Sequence, residues 1–92
     1  MDVKEVVLKA KKYAAEIFAD ENIVNLGLEE VVFDEGVWRV TVGFSRPWDK
    51  PTGPFGIATI GITQGLARSY KVVEIRDNTG QIVAVKNREP RP

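Results

Sequence analysis

Residues 70–86 read Tyr-Lys-Val-Val-Glu-Ile-Arg-Asp-Asn-Thr-Gly-Gln-Ile-Val-Ala-Val-Lys, two β-prone runs around a turn sequence. Asp77 suits the first position of a type I turn, and Gly80 supplies the positive φ that closes such a turn with a bulge. In that register Ile75 faces Val83 and Val73 faces Val85, so four branched residues share one side. The opposite side carries Val72, Glu74, Arg76, Ile82, Ala84 and Lys86, a mixture in which Glu74 and Lys86 are diagonal neighbours. A hairpin alone is marginal in water, so the rest of the chain must cover the apolar side.

A second hairpin is read over residues 29–44. Trp38, Val40, Val42 and Phe44 alternate with Val37, Arg39, Thr41 and Gly43, the period of two of a half-buried strand, and the Trp38 side is the expected core side. Its first strand, residues 29–33, leads into the turn Asp34-Glu35-Gly36. Val31-Val32-Phe33 is apolar throughout and does not fix its own register. A two-residue turn places Val31 and Phe33 inside, and a bulged turn places Val32 inside. The first of these is the expectation taken forward.

The spacing of Val3, Val6, Val7, Ala10, Ala14 and Ile17 predicts an amphipathic helix over residues 2–20, with Tyr13 and Phe18 beside the stripe and lysines over much of the remainder. Asp2 is its N-cap candidate, and Glu5 completes a capping box. Residues 21–28 read as a connector because Asn22, Asn25 and Gly27 are turn formers. Ile23, Val24, Leu26 and Leu28 are too apolar for a free loop and are expected to seal the end of the core.

Residues 45–68 break the pattern. Pro47, Pro51, Gly53, Pro54 and Gly56 stop a strand or a helix, and the β-branched residues and glycines after Gly56 favour a strand or an irregular segment. A long arm in so small a domain is uncommon and often functional. The closing hairpin then spans residues 69–87, and a charged, Pro-containing tail, 88–92, is expected to fray. The fold class expected is α+β: one domain over residues 1–92 in two layers, with the N-terminal helix packed on a four-stranded antiparallel meander sheet.

Composition narrows the chemistry. The chain has 92 residues, room for one core, with 13 basic and 13 acidic side chains. That balance gives no global field to draw in nucleic acid or an anionic membrane, so neither is expected as a partner. Cysteine and histidine are both absent, which removes disulfides, thiolate chemistry, the commonest metal ligand and the usual general base near neutral pH. No catalytic residue, metal or cofactor is therefore assigned. Met1-Asp-Val-Lys-Glu is not followed by the apolar core of a secretion signal, and the mostly apolar run 55–66 is too short and glycine-rich to span a bilayer. A cytoplasmic location is the expectation.

Two resemblances follow from these residues. The sequence of 70–83, with its Asp-x-x-Thr-Gly turn between strands, resembles the closing hairpin of PepSY-type domains, where it follows an N-terminal helix. Glu30-Val-Val-Phe-Asp-Glu-Gly-Val-Trp-Arg-Val-Thr-Val resembles their first hairpin. The resemblance covers roughly half the chain and implies a helix-on-sheet fold and an inhibitory or regulatory binding role, often at the cell envelope. The layout is also similar to that of cystatins, inhibitors of cysteine proteases. Gln81-Ile-Val-Ala-Val85 is similar to their Gln-x-Val-x-Gly loop, with Val85 in place of the glycine, and Pro47-Trp48 to their Pro-Trp loop, in reversed order.

No pattern in the chain specifies an activity. Arg46-Pro-Trp-Asp49 is the most suggestive group, because Trp and Arg anchor many interfaces. The reading favoured for Trp48 itself is that it folds back to cap the open end of the core, with Pro47 fixing the strand exit. The first functional expectation is a non-catalytic binding or regulatory domain. It would engage a protein partner, or a second copy in a homodimer, through the outer sheet face and the arm 45–66, with Arg46, Trp48, Phe55 and Tyr70 as contacts. The competing expectation is a small-ligand-binding protein or minor enzyme, its pocket lying between helix and sheet and lined by Trp38, Phe44 and Trp48.

Overall fold

A computed structural model describes residues 1–47 and 68–88. Helix α1 (Val3–Ile17) is followed by strands β1 (Val24–Asp34), β2 (Val37–Ser45), β3 (Ser69–Arg76) and β4 (Ile82–Asn87). The strands form one antiparallel sheet in the order β1-β2-β3-β4, and α1 packs on it. This is the expected two-layer α+β meander.

Helix α1 starts where its caps dictate. The Asp2 carboxylate accepts the Glu5 N–H at 2.9 Å, and the Glu5 carboxylate accepts the Asp2 N–H at 2.9 Å, a complete capping box. The helix ends with its apolar stripe at Ile17, short of the expected residue 20. Residues Ala19–Glu21 tighten into a 3-10 turn, and Asn22, at φ 50°, turns the chain away. Asn is among the few side chains that accept this left-handed region.

Strand β1 begins at Val24, inside the stretch read as a connector. Asn22 and Asn25 have positive φ as turn formers do, yet Asn25 sits in a bulge between the Val24–Ser45 and Gly27–Gly43 pairs. The bulge absorbs the turn-like residue without ending the strand. Leu26 packs against the core, whereas Val24 and Leu28 stay exposed. The expected seal therefore rests on Leu26, and Phe18 adds to it.

Between β1 and β2, Phe33 pairs with Trp38 and Asp34 with Val37. Asp34 is thus a strand residue and the turn is Glu35-Gly36, both at positive φ (50° and 78°), as a tight two-residue hairpin requires. That register puts Val31 across from Val40 on the core side. Phe33 lies on the same side but at its open end, 50% exposed, with its ring 4.6 Å from Trp38.

The closing hairpin turns over the expected residues 77–80, but its closing bond starts at Arg76, one residue before the type I turn expected from Asp77. Gly80 has φ 73°, and its N–H donates to Arg76 O at 2.8 Å. Val73 pairs with Val85 as expected, but Ile75 pairs with Ile82, not with Val83. A bulge between the Glu74–Ala84 and Ile75–Ile82 pairs inserts Val83 as the extra residue. Ile82 is thereby moved to the core side, and Val83 is left 40% exposed.

The core is the interface of α1 with the inner sheet face. Val6, Ala10 and Ala14 meet Val40, Val42, Val73 and Ile75, all fully buried. The two alanines let backbone approach backbone. Burying each branched side chain contributes about 1.5–3 kcal/mol relative to exposure. Phe44 is also fully buried, and its ring centroid lies 5.2 Å from that of Phe18. Helix α1 lies over β1, β2 and β3; β4 lies outside its footprint. Among the described residues, no helix is long and apolar enough to cross a membrane.

Candidate interaction surfaces

Alternation along the strands sends Arg39, Thr41 and Gly43 of β2, and Tyr70, Val72 and Glu74 of β3, to the face opposite α1. Among the described residues no element packs over that face. It is strongly ordered by charge. Arg39 Nη1 lies 3.3 Å from Asp34 Oδ2, Arg39 Nε lies 3.2 Å from Glu74 Oε2, and Lys86 Nζ lies 3.6 Å from the same Glu74 oxygen. One residue from each strand thus forms an alternating ladder across the whole sheet, and the Glu74–Lys86 neighbours expected from the sequence are its last rung. Beside and between these charges Val32 is exposed, Val72 and Ala84 are half-buried, and Thr41 is buried.

A second cluster sits further along the same face. Gly43 pairs with Tyr70. A Cβ at Gly43 would lie 2.9 Å from Arg68 Nη2, 3.0 Å from Glu29 Oε2 and 3.0 Å from Tyr70 Cε1. Glycine is what lets the Tyr70 ring and the Glu29–Arg68 pair lie flat across β2. The Arg88 guanidinium stands 5.5 Å from the Tyr70 ring centroid, within cation–π range.

Of the expected contact residues, Tyr70 is half-buried in this outer cluster. Arg46 is not with it. Its Nη1 donates to Glu21 Oε1 at 3.2 Å, its Nη2 donates to Ser69 Oγ at 2.7 Å, and its guanidinium lies 5.9 Å from the Phe44 ring. These partners place Arg46 at the helix side, where it ties the 3-10 turn to β2 and β3. Trp48 and Phe55, and the arm as a whole between residues 48 and 67, lie outside the described residues, as does the tail beyond Arg88.

Trp38 and Phe44, expected to line a pocket between helix and sheet, are engaged elsewhere. Phe44 packs on Phe18. The Trp38 indole Nε1–H donates to Asp77 Oδ1 at 2.9 Å, and the N-terminal ammonium reaches the same oxygen at 3.2 Å. The Asp77 N–H in turn donates to Gly36 O at 2.9 Å. Asp77 therefore ties the start of the helix layer, the turn of the first hairpin and the indole of β2 to its own turn. The indole N–H, and after it the ammonium, hold the Asp77 carboxyl below its ordinary 3.8, against a smaller opposing effect of desolvation. A carboxylate stabilised as an anion is an acceptor, and the opposite of the raised pKa that a general acid or base near neutrality needs. The sequence reading missed this node because its partners are 39 and 76 positions away.

Among the described residues, an open groove of about 490 Å³ lies between α1 and β4, lined by Leu8, Lys9, Lys12, Tyr13, Glu16 and Ile82. A smaller cleft of about 240 Å³ lies between the two hairpin turns, around Glu35, Val37 and Asp77. Among the described residues, no three His, Cys, Asp or Glu side chains come together as metal ligands would. Comparison of the chain with protein-family models, with curated proteins and with solved structures gives no match.

Proposed function

We propose that this chain is a non-catalytic binding or regulatory domain that engages a protein partner through the outer face of its sheet. The observation that carries the reading is the ordering of that face. Its ion pairs join all four strands around Glu74, the least exposed of the four charges, and Val32 stands exposed beside them. A small apolar centre within a polar surround is the usual anatomy of such contacts. The regulatory role implied by the resemblance to PepSY-type domains supports the same reading. The arm 45–66 is part of the proposal through its position between β2 and β3.

The competing ligand-pocket reading has less support. Of the side chains expected to line that pocket, Phe44 is packed on Phe18 and Trp38 on Phe33, Trp48 lies outside the described residues, and the described helix–sheet interface is filled by residues with no exposure.

A photo-crosslinking amino acid placed at Val72, on the outer face, and at Lys4, on exposed α1, tests the proposal in cells of the native host. A discrete crosslinked partner from position 72 and not from position 4 is the expected result. The same products from both positions, or none from position 72, would overturn it. A crosslink only to a second copy, with a dimer mass by light scattering, would replace the partner by self-association.

A further inference from the structure

We propose that the groove between α1 and β4 is a second docking site, which takes an acidic amphipathic helix from a partner protein. Four strands spaced about 4.8 Å apart span about 14 Å between outer axes, and one helix with its side chains is about 10–12 Å across. Helix α1 is centred over β1–β3, and among the described residues no helix covers the inner side of β4. The uncovered lane has an apolar lining. Leu8 points out of α1 at 68% exposure, the highest of the exposed large hydrophobic side chains, and Ile82 and Tyr13 are half-buried beside it.

The rim supplies the charge. Lys9 and Lys12 form no hydrogen bond or ion pair among the described residues, and neither does Glu16 at the far end. An incoming helix would complete the second layer with its apolar stripe on Leu8 and Ile82. Its Glu or Asp residues would face Lys9 and Lys12, and one basic residue would face Glu16. From Leu8 to Glu16 the groove runs about 12 Å along α1, which suits two to three turns of helix. Strand addition at β4 is the poorer fit, because the Val83 bulge and Lys86 are features that blunt a sheet edge. The groove is too open to enclose a small molecule as ligand pockets do.

The test is an ¹⁵N-labelled titration of the full chain with two capped helical 16-residue peptides. Both carry leucine at i, i+3, i+4 and i+7; one is flanked by glutamate and the other by lysine. The glutamate peptide is expected to shift the amides of residues 8–16 and 82–85. It should bind roughly tenfold tighter than the lysine peptide. The double variant Lys9→Glu/Lys12→Glu should reverse that preference, and Leu8→Asp, an exposed position, should abolish binding to a still folded chain. No shifts at millimolar peptide, indifference to the charge reversal, or cross-strand contacts to β4 would overturn the proposal. So would contacts from the Leu8 methyls to residues 48–67 in the free protein. The groove lies on the helix side, so failure here leaves the outer-face reading standing, and shifts confined to the outer face would overturn this site alone.

Discussion

The bulge in β4 decides which of two adjacent residues belongs to the core, and alanine substitution at both reads it directly. In the structure Ile82 pairs with Ile75 and packs against the core, while Val83 is the extra residue and 40% exposed. Ile82→Ala removes three carbons. At about 0.8 kcal/mol per buried methylene that is at most about 2.4 kcal/mol, and because Ile82 is only partly buried the expected cost is about 1–2 kcal/mol. Val83→Ala removes two carbons that are largely in water and should cost less than about 0.5 kcal/mol. For a domain of this size 1 kcal/mol moves Tm by about 4–8 °C, so the two variants separate cleanly. The assay is urea unfolding followed by tryptophan fluorescence, with the slope compared to confirm that only stability has changed. A regular hairpin with Ile75 opposite Val83 reverses the order. A Val83→Ala cost equal to or larger than that of Ile82→Ala would refute the bulged register and with it the floor of the helix groove.

Three further perturbations probe other parts of the structure. Gly43→Val should push the Tyr70 ring off β2 and cost about 1–3 kcal/mol, as overpacking does; the ring-current shifts of the Gly43 α-protons identify the stacked ring in the parent chain, and Tyr70 resonances left unmoved in the variant would count against the stack. Asp2→Ala removes the capping box and should cost about 1 kcal/mol by thermal unfolding, within the range of 0.5–2 for such caps, with an unchanged Tm as the contrary result. Asp77 should make stability acid-sensitive: its pKa is lowered in the folded chain, so its contribution is full above the ordinary 3.8 and is lost as pH falls through the lower folded value. Asp77→Asn should flatten the stability profile in that window and alter the Trp38 emission, and a profile parallel to the parent's would remove Asp77 from the account.

Much of this architecture is legible from side-chain periodicity. The alternation from Trp38 to Phe44 gives the inner face of β2, and Val6, Ala10 and Ala14 give the face of the helix that meets it. What escapes is set by features with no periodic signature. The β1 bulge at Asn25 looks like a loop because asparagine serves both, so five strand residues are lost from its start. The β4 bulge shifts one residue, which suffices to exchange Ile82 and Val83 between faces. Arg46 and Tyr70 look like members of one interface group, yet Arg46 extends on the helix side to Glu21 and Ser69 while Tyr70 lies across Gly43 on the other. The Asp77 node and the four-strand charge ladder depend on pairs far apart in sequence and become visible only once the strand order and register are known.

The central claim is that α1 covers one face of the sheet and that no described element covers the other. Methyl relaxation by a soluble paramagnetic agent measures this in a single experiment on the full chain. The account predicts strong relaxation of the Val32 methyls, intermediate relaxation of Val72 and Ala84, and protection of Val40, Val42 and Val73 beneath α1. Protection of Val32, Val72 and Ala84 equal to that of Val73 would mean that the outer face is already covered within the chain or by a second copy, and would contradict the account.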